Sequence, residues 1–302
     1  MYDIGIIGGG TAGLTAAIYG QRAGKQTIVL EGKIYGGQIA SSPRVENYPG
    51  VASISGSDFS TNLLQQAQAL GAETRQDRVT EVSGEEGAWV IHTGSGEIVC
   101  KSVIIATGVV PRKLGLEGES RLEGMGVSYC ATCDGAFFRN MPVAVIGGGN
   151  TALEDAEFLS NTSSQVYLIH RRDEFRGEEA LVNVLRNKEN VEFVLSATPK
   201  AINGMEYVEE LVVNELKTGG ERSLEVAAVF IAVGHIPMNQ TYASLVELDE
   251  YGFINANETC HTSQAGIFTA GDCRTKEVRQ LTTAAADGAV AALAAIKYLA
   301  LL

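Results

Sequence analysis

One glycine-rich turn, met twice in the chain at a fixed offset, limits the available folds more than any other feature. Near the N-terminus, DIGIIGGGTAG carries an apolar strand into a helix through Gly8, Gly10 and Gly13, the spacing G-x-G-x-x-G. The first glycine permits a tight turn, the second lets a pyrophosphate approach the backbone, and the third lets helix pack on strand. Phosphate then meets the unpaired N–H groups that open the helix, around Thr11 and Ala12. The next strand, TIVLE, ends in Glu31, a carboxylate suited to ribose hydroxyls.

The same unit returns at PVAVIGGGNTA, where Gly147, Gly149 and Ala152 each stand 139 residues after Gly8, Gly10 and Gly13. Asn150 and Thr151 open the second helix as Thr11 and Ala12 open the first. Advancing Glu31 by the same 139 residues reaches His170, the start of HRRDEFR. A carboxylate there would repel a 2′-phosphate, whereas the guanidinium groups of Arg171, Arg172 and Arg176 can grip one bidentately. The second site is therefore expected to take NADP(H) in preference to NAD(H). Two sites of opposite ribose chemistry imply two different cofactors, and Glu31 alone would admit NAD or FAD in the first. The chain reads as α/β, with two dinucleotide-binding, Rossmann-like domains.

Composition narrows the class further. Hydrophobic residues make up 45% of 302, which excludes a disordered chain, and 35 glycines against 6 prolines suit many strand-to-helix turns. A formal charge of −13 argues against nucleic-acid binding, which needs Lys and Arg to displace counterions. VAAVFIAVG is too short to span a bilayer and Lys297 interrupts AVAALAAIKYLALL, so no membrane span is expected. The opening strand has no charged-then-apolar leader, and a cytoplasmic location is expected.

Further motifs are more specific. VIIATG (103–108) and GIFTAGD (266–272) each read as a strand ending in a nucleotide-contacting turn. Together with GGQ (36–38), ENYPG (46–50), CATCDG and HRRDEFR, they make a chain that resembles the low-molecular-weight thioredoxin reductases almost end to end. GHIPMN and RQLTTAAADG agree with that resemblance. It implies FAD in the first site and NADPH in the second. It carries flavin contacts onto Gly37, Gln38, Asn47, Thr107, Gly108, Asp272, Arg279 and Gln280, and a nicotinamide-nucleotide contact onto Gly234. It also implies a thioredoxin-like protein substrate and a homodimer assembled through the flavin domain. The flavin domain is expected to comprise residues 1–112 and 243–302, with residues 113–242 an inserted NADPH domain. Ala136 stands where some relatives carry an aromatic, so Phe137 and Phe138 are either a partner-docking feature or core.

SYCATCDGAFF holds Cys130 and Cys133, which could be a metal grip, a staple or a working redox pair. A closed zinc site needs four ligands, and Cys100, Cys260 and Cys273 offer no second close pair. A staple would close a very short loop, gain little chain entropy, and be reduced in the cytosol. Placement favours redox work, because the pair lies in the domain of the second glycine turn within a flavoprotein-like chain. Flavin can exchange electron pairs with a nicotinamide and with a dithiol. The resemblance implies electron flow from NADPH through FAD to the Cys130–Cys133 disulfide. Cys133 then faces the flavin, Cys130 attacks the substrate disulfide, and Asp134 serves as the acid–base group. Both the NADPH turn and the cysteines must reach one flavin, so the inserted domain is expected to swivel about its two linkers. The rivals are a dithiol oxidase, which the basic HRRDEFR disfavours, and a non-catalytic NADPH-binding flavoprotein of the same fold.

Overall fold

The computed structural model of the chain describes residues 1–42 and 44–302. The chain divides into two compact units, Met1–Val110 with Ile236–Leu302, and Pro111–His235. The first begins with β1 (Tyr2–Ile7), α1 (Thr11–Arg22) and β2 (Thr27–Glu31), then α2 (Gly56–Ala69) and β3 (Glu73–Gln76). β1 pairs in parallel with β2, and β2 with β3. Ser55 caps α2 by accepting the Asp58 N–H, and the helix buries Phe59 and Ala67.

Two hairpins follow, formed by β4 (Val79–Glu85), β5 (Ala88–Thr93) and β6 (Gly96–Ile105). The start of β6 pairs antiparallel with β5, while Cys100–Ile105 lies parallel to β1 and ends at the same edge as the first glycine turn. The chain then leaves through β7 (Val109–Pro111).

The second unit opens with the short β8 (Val127–Ser128) and α3 (Ala131–Asp134), and continues with β9 (Pro142–Gly147), α4 (Asn150–Ser160) and β10 (Gln165–His170). After α5 (Glu179–Arg186) and β11 (Val191–Leu195) comes an antiparallel meander, β12 (Ala197–Asn203), β13 (Glu210–Glu215) and β14 (Glu221–Glu225). β15 (Ala228–Ala232) completes a five-stranded parallel sheet in the order β11-β10-β9-β15-β8. Its apolar strands are buried on both faces, as a parallel sheet requires.

β16 (His235–Pro237) pairs with β7, so the two crossings run side by side. The returning chain adds β17 (Ile267–Thr269), parallel to β6, and α6 (Leu281–Leu299). The compact unit ends at His235, whereas the sequence placed its end at 242. The reason is tertiary: Asn239 is buried and donates to Gly252 O (2.9 Å) and Cys273 O (2.7 Å), and Tyr242 belongs to the core under β4–β6. α6 buries Ala291, Ala292 and Ala295 in one core with Ala12, Ala16 and Ala17 of α1. Small side chains allow close approach; a Cβ on Gly288 would stand 2.2 Å from Ala12 O.

Candidate active site

In the first unit the glycine turn is steric in origin. Gly8 has φ +111°, and a Cβ there would lie 2.2 Å from Ala106 O; one on Gly13 would lie 1.9 Å from Gly8 O. These close approaches bring β1, α1 and the end of β6 together. Glu31 does not merely await a ligand: its carboxylate accepts the Gly9 N–H (2.8 Å) and the Lys33 N–H (2.8 Å), which locks β2 to the turn. Gly36 N–H closes the far side by donating to Gly9 O at 2.8 Å.

The other expected flavin residues gather at this edge of the sheet. Gly37 opens a 3₁₀ turn in the left-handed region, and Gln38 Nε2 donates to Val109 O at 2.8 Å. Thr107 Oγ1 donates to Asn239 Oδ1 at 3.1 Å, just before the open, positive-φ Gly108. Asn47 Nδ2 reaches Gln280 Oε1 at 3.3 Å, joining the ENYPG loop to the residue that caps α6. Arg279 lies over the Phe253 ring, 4.3 Å from its centroid, and donates to Asp272 O at 3.3 Å.

The residues present fit a dinucleotide. At Gly10 a Cβ would meet only Gly36 O, at 3.7 Å, so the backbone is bare where a pyrophosphate must come close. Asp272 Oδ1 is buried without a hydrogen-bond partner, an acceptor that a hydroxyl-bearing ligand chain would satisfy, and burial raises its pKa.

The Asp272 turn is held by a group the sequence did not reveal. Asp287 of α6 accepts the Gly271 N–H (2.9 Å), Arg274 Nη2 (2.8 Å) and Lys276 Nζ (2.9 Å), all within the core. Asn239 was equally hidden. It lies in GHIPMN, but its partners are far away in sequence and leave no local pattern.

In the second unit, Gly147 faces Ala152 Cβ and Ala232 O, each 2.5 Å from a Cβ built upon it, while Gly149 would meet nothing within 4 Å. This turn is thus bare at the same middle glycine and fits a second dinucleotide. Asn150 clamps the chain ahead of α5 through Glu178 N–H (2.8 Å) and Glu178 Oε1 (3.1 Å), with Thr151 exposed beside it. Arg176 N–H donates to Gly148 O at 2.8 Å, matching the Gly36–Gly9 bond of the first unit.

His170 occupies the place of Glu31 in the second unit. Its ring is buried, stacks on Phe175 at 5.3 Å, and would lie 2.1 Å from a Cβ on Gly148. Burial, with the charges of Arg171 and Arg176, lowers its pKa against opposing backbone hydrogen bonds. Arg171, Arg172 and Arg176 are exposed, and among the described residues none has a carboxylate within salt-bridge distance. Gly234 has φ +104° with open space around it, at the exit of β15.

Cys130 and Cys133 are joined as a disulfide, their Cα atoms 5.3 Å apart. Cys130 caps the single-turn α3 and its carbonyl accepts the Cys133 (3.2 Å) and Asp134 (3.1 Å) N–H groups. Thr132 Oγ1 lies 3.4 Å from Cys130 Sγ. Asp134 follows, with Oδ2 accepting the Ser128 hydroxyl at 2.6 Å and Oδ1 buried without a partner. Burial pushes its pKa up, and the Ser128 hydrogen bond opposes that. Ser128 was in view in the sequence but had no role there; a Ser two residues before a turn, bonding the Cys130 N–H at 3.1 Å, was the available signal.

Phe138 stacks edge-on to Phe230 at 5.9 Å and packs against the sheet core. Phe137 is half-buried. Cys100, Cys260 and Cys273 are free, buried thiols, and burial raises the first two to about 12. Among the described residues no cluster of His, Cys, Asp and Glu could hold a metal ion, and no helix is long and apolar enough to cross a membrane.

Residues 2–288 match the pyridine nucleotide-disulphide oxidoreductase family, the class that two dinucleotide turns and a cysteine pair define. Thioredoxin reductase of Treponema pallidum is 42% identical, over 99% of this chain and 97% of its own length. That of Bacillus subtilis is 40% identical over 99% of this chain and 95% of its own. The crystal structure of thioredoxin reductase from Streptococcus pyogenes superposes with a TM-score of 0.95 at 36% identity, covering 100% of this chain and 99% of that one. The chain belongs to the pyridine nucleotide-disulphide oxidoreductase family, among its thioredoxin reductases.

Proposed function

We infer that the chain is an NADPH-dependent thioredoxin-disulfide reductase, and the Cys130–Cys133 disulfide beside half-buried Asp134 carries that reading. The unit Met1–Val110 with Ile236–Leu302 is the FAD domain and Pro111–His235 the NADPH domain in this scheme. FAD is held by the Gly8–Gly13 turn, Glu31, Gln38, Asn47, Thr107, Asp272, Arg279 and Gln280, and NADPH by the Gly147–Ala152 turn with Arg171, Arg172 and Arg176. When bound, NADPH supplies a hydride equivalent and FAD relays its electron pair to the disulfide.

The protein's own chemistry begins from the reduced pair. Cys130 attacks one sulfur of the substrate disulfide as a thiolate, forming a mixed disulfide and expelling a thiolate that Asp134 protonates. Cys133 then attacks Cys130, which re-forms the internal disulfide and releases the second substrate thiol. Thr132, within reach of Cys130 Sγ, offers the thiolate a hydroxyl donor. Asp134 suits the acid role because burial keeps its carboxyl protonated to higher pH than usual.

The substrate is a thioredoxin-like protein, the chain works as a homodimer, and its location is the cytoplasm. Three buried thiols left unpaired are consistent with a reducing compartment. The test is NADPH oxidation by the flavin-loaded protein with oxidised thioredoxin, with NADH in parallel. Fast turnover with NADPH, poor turnover with NADH and loss of both in C133S are expected. A C133S protein reducing thioredoxin at the wild-type rate would sink the scheme. Sedimentation velocity reads the dimer directly.

A further inference from the structure

We propose that Ser128 is a positioning residue for the acid–base step, holding Asp134 by one carboxylate oxygen so that the other, Oδ1, exchanges the proton with sulfur. The inference rests on the acid–base role given to Asp134 above. Ser128 ends β8, and its backbone is anchored by parallel pairing with Phe230 of β15. Its hydroxyl has a single hydrogen and two acceptors near it, Asp134 Oδ2 at 2.6 Å and Cys130 O at 3.4 Å. The shorter, charge-assisted bond wins. The same oxygen accepts the Cys130 N–H at 3.1 Å, so one atom fixes both the acid and the backbone of the first cysteine.

Oδ2 is thereby occupied, whereas Oδ1 is buried and bonded to nothing. A proton carried on Oδ1 leaves the Ser128 bond unbroken, so the carboxyl keeps one orientation in both charge states. In the transfer the O–H bond at Oδ1 breaks, an S–H bond forms on the departing thiolate, and Asp134 becomes a carboxylate. Burial raises the Asp134 pKa and the Ser128 hydrogen bond lowers it; Glu154, Asp155 and Glu157 are the acidic residues of the adjoining α4. Removing the hydroxyl therefore has one expected direction, upward.

The experiment titrates Asp134 by ¹³C NMR in holoenzyme labelled at the aspartate carboxyls, with D134N assigning the signal, beside the pH profile of thioredoxin reduction. In S128A the Asp134 midpoint rises by about one pH unit and the matching limb of the profile moves with it. S128T, which keeps a hydroxyl, restores both, and S128G, which lacks one, shifts both as S128A does. A titration and profile in S128A and S128G that superimpose on the wild type overturn the proposal and leave Asp134 its role. A D134N profile identical to the wild type removes the Asp134 role, and the proposal with it.

Discussion

Asp287 is a single carboxylate on which two buried cations and a backbone N–H converge. Burial alone would favour its neutral form, but Arg274 and Lys276 outweigh that and hold its pKa below the usual range. A depressed acid contributes stability that is present above its unfolded pKa and is lost as pH falls through the folded one. Asp287→Asn strands both cations in the core and is expected to cost about 3 kcal/mol near pH 7. The gap to the wild type narrows below about pH 4. Chemical denaturation at pH 7 and at about pH 2.5 checks both statements. Because Asp287 also grips Gly271, flavin retention falls with stability.

At the level of the element, the two glycine turns divide one motif into separable duties. Gly13 is required by its neighbours, since a Cβ would lie 1.9 Å from Gly8 O; Gly149 is free of neighbours and its backbone is extended. Gly13→Ala is expected to destabilise the fold by about 3 kcal/mol or more. Gly149→Ala costs less than about 1 kcal/mol but weakens NADPH binding at least tenfold by obstructing the pyrophosphate. Thermal melts and NADPH fluorescence titration separate the two outcomes. The repeat was legible because it is written in glycines, whose reasons are steric and local. The cysteine pair was legible for the same reason, its two members being close in sequence. Ser128 as a shared anchor, Asn239 and Asp287 were not, because each gains its meaning from partners brought up by other strands and helices. His170 shows the limit of reading by offset. The alignment with Glu31 located the residue, yet the imidazole is packed beneath the turn rather than presented on it.

For the whole molecule, the inserted unit is one continuous segment with its own sheet and two apolar clusters, whereas the enclosing unit is made of two pieces. Residues 111–235 expressed alone are expected to melt cooperatively and to bind NADPH without flavin. A segment that stays unfolded would show that its cores are insufficient on their own.

The pairing of β7 with β16 has a consequence for the order in which the chain folds during synthesis. β17 and α6 emerge last, yet β17 lies against β6 and α6 against α1, elements made long before. Six strands of the enclosing sheet are made early, but its completion by β17 and the covering of α1 by α6 must wait, while the segment between has every strand it needs and can fold on the ribosome. Once it has done so, its two ends stand side by side in the β7–β16 ribbon. A separation of more than a hundred residues then behaves as a short loop, and the entropic cost of closing the outer unit shrinks accordingly.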